Sequence, residues 1–298
     1  METPELTVVI PSVNGLGDLQ GCLEAVERLR NSIRLEVLVV DRIGGDVPET
    51  VRRLFPQMTV LSVPADETIP RMRERAFSLA NAPAVAVIED HVIVPPTWGR
   101  QLLDALAQGH DVVGGPIENA ATGRLLDWAT FLCEYSACLP PLPGGAAEWL
   151  PGNNVVYRRG ILERHRAVIA EGRWENRLHD AIKAGGTPLW CQPDLLVGHK
   201  KHFSFLEYLS QRYLYARSYA GARVKGASIF KRLGYGAAAF LLPPLLLYRT
   251  VQRLTAKKVA GPLMLRTLPL IGIFLMSWGL GEIVGYWFGA GDSLSKVR

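Results

Sequence analysis

Over the first hundred or so positions, short apolar runs alternate with longer stretches that are apolar at helical spacing. Leu6–Ile10 (LTVVI) carries no charge and stops at Pro11-Ser12, which predicts a buried strand. In Asp18–Arg30 the apolar residues Leu19, Cys22, Leu23, Val26 and Leu29 recur with a helical period. Leu35–Val40 predicts a second strand ending on Asp41, Pro48–Phe55 a short helix, and Met58–Val63 a third strand. Ile69–Ala80 predicts a helix, Ala84–Ile88 a fourth strand, and Trp98–Gln108 another helix. This alternation implies an α/β fold with a mostly parallel, Rossmann-like sheet. Ligands of such sheets bind at the carboxyl ends of the strands. That rule lines up Pro11, Ser12, Asp41 and the triplet Glu89-Asp90-His91 along one edge.

The alternation weakens after Asp111–Gly115, and a Pro/Gly-rich stretch follows at Leu139–Ala147. No internal repeat is visible. From Phe203 the texture becomes aromatic, basic and apolar, which divides the chain into 1–203 and a helical, membrane-associated region, 204–298. Two candidate membrane segments stand out in it. Leu233–Tyr248 has no charge but is expected to be broken by Pro243-Pro244, and Thr267–Gly289 carries only Glu282. A spanning helix needs roughly 20 apolar residues, so the second is long enough and the first marginal. Tyr248, Trp278, Tyr286 and Trp287 have the character of interfacial anchors. If both segments span, the basic linker Arg249–Arg266 falls on the far side, against the positive-inside tendency. If the first is re-entrant or interfacial, the linker stays cytosolic and the tail crosses. In either arrangement Glu282 is expected to face protein or a polar cavity.

Charge sharpens this division. Residues 1–199 hold 18 Lys/Arg against 25 Asp/Glu, a net −7, whereas 200–298 hold 15 against 3, a net +12. Because the positive charges flank long apolar runs, they fit anionic lipid headgroups better than nucleic acid. The four cysteines show no metal-ligand spacing, and reduced cytosolic thiols are the simplest reading. No basic segment followed by an apolar core opens the chain, so no cleaved signal peptide is expected.

Six pieces occur in order over about 200 residues: TVVIPSVN, EVLVVD, RMRERAFSLANAPAVAVIEDH, LPGNNVVYRR, WENRLHDAI and VGHKK. Together they resemble a family-2 glycosyltransferase with a GT-A fold. The resemblance implies a nucleotide-activated sugar donor, a divalent metal (Mn²⁺ or Mg²⁺) and transfer with inversion. It implies that Asp41 accepts the N–H of a uracil ring, with Pro11 and Ser12 lining the base. A strand-end aspartate holding a turn is the alternative, and Asp46 reads as a turn residue. Arg73 corresponds to an arginine near the nucleotide, where a guanidinium suits a diphosphate. With Arg71 and Arg75 it would otherwise form a solvated basic face.

Glu89-Asp90-His91 occupies the family's Asp-x-Asp position, with Glu for the first acid and His for the last. The triplet implies Glu89 and Asp90 at the donor and Asp90, His91 and His199 at the metal. Imidazole donors favour Mn²⁺-like ions over Mg²⁺. Where the family has an acidic pair at a helix start, this chain has Glu175-Asn176, so Glu175 is the candidate base. Asp180 and His179 are fallbacks. Gly152, Asn153 and Asn154 form a turn expected to meet the sugar or acceptor. Gln211-Arg212-Tyr213 faintly echoes an element of processive synthases with different spacing; Arg212 and Arg217 could instead meet phosphate groups at a membrane.

The reading is an inverting glycosyltransferase at the cytoplasmic membrane, its catalytic domain in the cytoplasm. It takes a UDP-sugar donor and a lipid-linked or membrane-proximal acceptor for cell-surface glycan synthesis, and binds no nucleic acid. The competing reading is a non-catalytic nucleotide-sugar-binding scaffold. A nucleotidyltransferase would need a better glycine-rich loop than PSVNGLGD.

Overall fold

The computed structural model describes residues 3–298. They form two compact units: the amino-terminal segment up to Ala120 with Pro140–Lys200, and Ala121–Leu139 with Lys201–Arg298.

The first unit contains eleven strands: β1 (Leu6–Ser12), β2 (Leu35–Asp41), β3 (Thr59–Ser62), β4 (Ala84–Val87), β5 (Val92–Ile93), β6 (Val112–Gly114), β7 (Ile117–Asn119), β8 (Gly145–Ala147), β9 (Val155–Arg158), β10 (Leu189–Cys191) and β11 (Val197–His199). Eight of them make one sheet in the order β3-β2-β1-β4-β9-β6-β10-β8. The β3-β2-β1-β4 block is parallel, as is the β6-β10 pair. β9 runs antiparallel to both β4 and β6, and β8 antiparallel to β10. β1 is buried along its whole length. Burying Val8, Val9 and Ile10 contributes roughly 1.5–3 kcal/mol each.

The predicted elements of the first hundred residues are all present within a few residues. The helix expected at Asp18–Arg30 is Leu16–Glu27, and a 3₁₀ turn, Arg28–Asn31, completes it. The helix Ile69–Leu79 starts where Thr68 accepts the amide of Arg71 and Pro70 occupies the first turn, where its missing N–H costs nothing.

The strands from β5 onward have only two to four residues, too short to display a period. They include a second sheet, β5-β11-β7, in which β11 is antiparallel to β5 and parallel to β7. This small sheet positions the site, because His199 pairs with Val92, the residue after His91.

The second unit is helical. Its longest helices are Phe205–Arg223 and Gly261–Phe288; the latter is the one helix among the described residues long and apolar enough to cross a membrane. Ser204 and Glu207 cap the former reciprocally. Pro243 and Pro244 do not interrupt Leu233–Tyr248 as expected. They lie in the first turn of the helix Leu242–Ala256, a position that tolerates proline, and helical turns run from Ile229 to Ala256.

Candidate active site

At the carboxyl edge of the large sheet, β1 and β2 place Ser12 opposite Asp41. The Asp41 carboxylate is fully buried, accepting the Ser12 hydroxyl at 2.9 Å and the amides of Ile43 and Gly44 at 3.4 and 2.8 Å. In this conformation Asp41 holds the turn after β2 and shows no surface to a base. Pro11 lies within β1, paired with Val40.

Beyond β4 the chain turns through Glu89-Asp90-His91. Asp90 is also fully buried. Its Oδ2 accepts the amides of Val13 (2.7 Å) and Asn14 (2.9 Å), and its Oδ1 accepts Asn14 Nδ2 (2.7 Å). That Oδ1 also lies 3.0 Å from His91 Nδ1, which fixes the ring and directs Nε2 the other way. There Nε2 meets the Nε2 of His199 at 2.8 Å and Glu89 Oε2 at 3.3 Å.

Glu89, His91 and His199 therefore form the cluster that could hold a metal, with donor atoms all within 4.8 Å of one another. The acid beside the two histidines is Glu89, whereas the sequence pointed to Asp90. Asp90 instead orients His91 from behind, as carboxylates do for many metal-binding imidazoles.

The donor set fits a divalent ion. Ligands bound at about 2.0–2.2 Å around one ion lie roughly 3–3.5 Å apart, close to the separations seen here. Two imidazole nitrogens facing each other at 2.8 Å also require something positive between them, either a proton on one ring or a cation. As the site stands, burial works against charge on His91, but hydrogen bonds to Asp90 and Glu89 outweigh it and raise its pKa to about 9. Burial likewise favours a neutral Glu89. The bond from His91 and the charges of His91, His199 and Arg73 overcome that and hold its pKa at about 2.

Next to this cluster, Arg73 on the helix Ile69–Leu79 is buried and donates to Glu175 Oε2 at 2.9 Å. Its Nε is a buried donor with no partner among the described residues. An unsatisfied guanidinium N–H beside a pocket is a ready contact for an anion. Arg71 and Arg75 are instead consumed by Glu74 and Glu67, on the wall of a separate cleft of about 780 Å³. Arg73 is thus the arginine singled out among the three.

Glu175 opens the helix Glu175–Ala184 and is partly exposed. Gly152 lets it approach, since a Cβ at that position would sit 2.4 Å from the Glu175 carboxyl carbon. Gly152, Arg73, Tyr157, Glu175 and Arg177 line one small pocket. Asn153 Nδ2 donates to Glu89 Oε2 at 2.9 Å, bringing that turn to the metal cluster. Asn154 is committed elsewhere: it bonds the carbonyls of Pro116 and Leu195 and accepts Trp98 Nε1, tying the start of β9 into the core.

The fallback bases lie off the site. Asp180 is on another side of the helix, its side chain 70% exposed and 3.8 Å from Lys183. His179 is buried with its Nε2 2.7 Å from the Tyr157 hydroxyl, and burial lowers its pKa to about 4. The sequence reading missed Asn14 and Tyr157. Asn14 follows Ser12 in the PSVN piece, but only the fold shows that it reaches Asp90, 76 positions away.

The family model described as Glycosyl transferase family 2 matches residues 7–164. Among solved structures, the chain is similar to the mannosyltransferase PcManGT from Pyrobaculum calidifontis in complex with GDP-Man and Mn²⁺. The identity is 19% and the TM-score 0.57, covering 95% of this chain and 88% of that one. It also aligns with S. aureus TarS 1–349 in complex with UDP-GlcNAc at 12% identity and a TM-score of 0.48, covering 74% and 67%. At such identities the first of these similarities bears on fold alone. No curated protein sequence matches the chain significantly.

Proposed function

The chain belongs to glycosyl transferase family 2, and from that premise we propose an inverting, membrane-associated enzyme that uses a UDP-sugar and a lipid-linked or membrane-proximal acceptor. Glycosyl transfer from a nucleotide sugar follows from the family; the base, acceptor, stereochemistry and membrane setting are our reading. The observation that carries it is the meeting of His91 and His199, 108 positions apart, with Glu89 beside them and the Arg73–Glu175 pair next to that cluster.

Glu89, His91 and His199 would hold the divalent ion, which supplies a Lewis acid for the charge that builds on the departing diphosphate. Asp90 fixes the His91 ring, and Asn153 fixes Glu89. Arg73 contributes its free Nε–H and its positive charge to the diphosphate. An anion arriving there competes for the guanidinium now paired with Glu175. That frees the Glu175 carboxylate to accept the proton of the acceptor hydroxyl. The hydroxyl oxygen then bonds to the anomeric carbon from the face opposite the diphosphate, and the carbon–oxygen bond to the diphosphate breaks. The protein up to 203 is the catalytic domain in this scheme, on the cytoplasmic side where nucleotide sugars are made. The region 204–298 holds it at the membrane.

The test is donor turnover by the full chain with Mn²⁺ and a membrane extract as acceptor. Glu175→Gln is expected to lower turnover by on the order of 10²–10⁴-fold, and His91→Ala to abolish its Mn²⁺ dependence. Unchanged turnover in both variants would remove these residues from the site.

A further inference from the structure

Within the second unit, helical turns from Ile229 to Ala256 and the helix Gly261–Phe288 fold back on each other. Gly236 packs on Trp287 and Gly279 on Pro243, which makes the two arms an antiparallel hairpin. Its second arm is the helix long enough to span a bilayer.

The neighbours of that arm argue against spanning. The helix Phe205–Arg223 runs parallel to it over the carboxyl half: Tyr208 meets Phe274, Ser277 bonds the Leu209 carbonyl, and Gly285 packs on Arg217. The chain end returns along the same helix, where the amide of Arg298 donates to Gln211. At these levels the bundle presents charge to solvent: the side chains of Arg223, Lys296 and Asp292 are 55%, 59% and 64% exposed. A spanning arm would draw the returning chain end, where the Lys296 carbonyl and the Arg298 amide bond Gln211, into the hydrocarbon, where its charges are expensive.

The hairpin's other side is apolar. Phe230, Phe240, Leu241, Tyr248, Met276 and Phe288 are each at least 60% exposed. Exposed basic residues border this face: Lys231 at one end, and Arg249, Arg253, Lys258 and Arg266 toward the hairpin turn. A face with large apolar side chains and a cationic border matches an anionic bilayer surface.

We propose that the hairpin lies in the plane of one leaflet, its apolar face sunk among the acyl chains and its basic border on anionic headgroups, with neither arm crossing. This rests on the membrane association proposed above and specifies its mode.

The test uses the full chain bound to sealed vesicles of phosphatidylcholine with phosphatidylglycerol, carrying a single new cysteine at Ala256→Cys or Asp292→Cys. The native cysteines are all buried. A membrane-impermeant maleimide added outside is expected to label both new positions fully without detergent. Labelling of either position only after detergent lysis would mean that an arm crosses, and would overturn the in-plane mode while leaving membrane association intact. Vesicle binding is expected to fall about tenfold or more in pure phosphatidylcholine, and likewise in Phe230→Ser with Leu241→Ser at unchanged melting temperature. No binding to anionic vesicles, with the chain sedimenting as a dimer that covers this face, would overturn both the mode and the association.

Discussion

His91 shows how one side chain can have two faces with separate tasks. Its Nδ1 is tied to Asp90, and its Nε2 is left to meet His199 and Glu89. The two partners should therefore fail differently. His199→Ala is expected to abolish tight Mn²⁺ binding followed by electron paramagnetic resonance. Asp90→Asn should weaken it by on the order of 10–100-fold, the usual cost of losing a carboxylate behind a histidine ligand. Equal, negligible effects would place the ion elsewhere.

His179 tests the interior in another way. With its pKa lowered to about 4 by burial, it stays neutral while the unfolded chain takes up a proton near pH 6.5. Above that pH neither state is charged and the residue adds no pH dependence. As pH falls from 6.5 to 4, only the unfolded state gains the proton, so stability drops by about 3 kcal/mol in all. His179→Gln should lose that share of the acid sensitivity, read as a difference between the denaturation profiles of the two proteins.

Among the elements, the short ones decide the site. The turn at Gly152, just before β9, admits Glu175 at the start of the helix Glu175–Ala184. Gly152→Ala would push a methyl group against the Glu175 carboxyl and separate it from Arg73. Displacement of a reacting group by about 1 Å can cost 10²-fold. We expect kcat to fall by on the order of 10–100-fold with the melting temperature nearly unchanged; a stability loss with kcat intact would assign the glycine to folding alone. The early elements were legible because each strand is a compact apolar run and each helix between them is long enough to show its period. β5, β7 and β11 were not, because two or three residues carry no period and gain their ladder only from partners distant in sequence. His199 could be nominated from VGHKK, but its partnership with His91 depends on that ladder.

At the scale of the molecule, donor binding should act through the folded first unit. A nucleotide sugar at about 100 times its dissociation constant adds about 2.7 kcal/mol of stability. For a unit of this size that is a rise of roughly 5–10 °C in melting temperature. The rise should require Mn²⁺ and be largest for a uridine donor; an equal rise with guanosine donors would reassign the base. The second unit carries the other global feature, the positive excess of 200–298. Composition identified an apolar and basic region there. It did not identify the helix Leu125–Tyr135, from the middle of the chain, as part of the same unit.

By itself the sequence determined the α/β alternation, the family and the residue types at the carboxyl edge, because hydrophobic period and strand-end chemistry are local. It also located the apolar, basic tail, since composition is a sum over neighbours. Only the tertiary structure brought Glu89, rather than Asp90, to the two histidines, and closed the turn after β2 onto Asp41. It alone showed that the apolar hairpin has charged neighbours at its own level. Those outcomes depend on which donors and acceptors lie within about 3 Å, a relation between positions as much as 108 residues apart that no local pattern encodes.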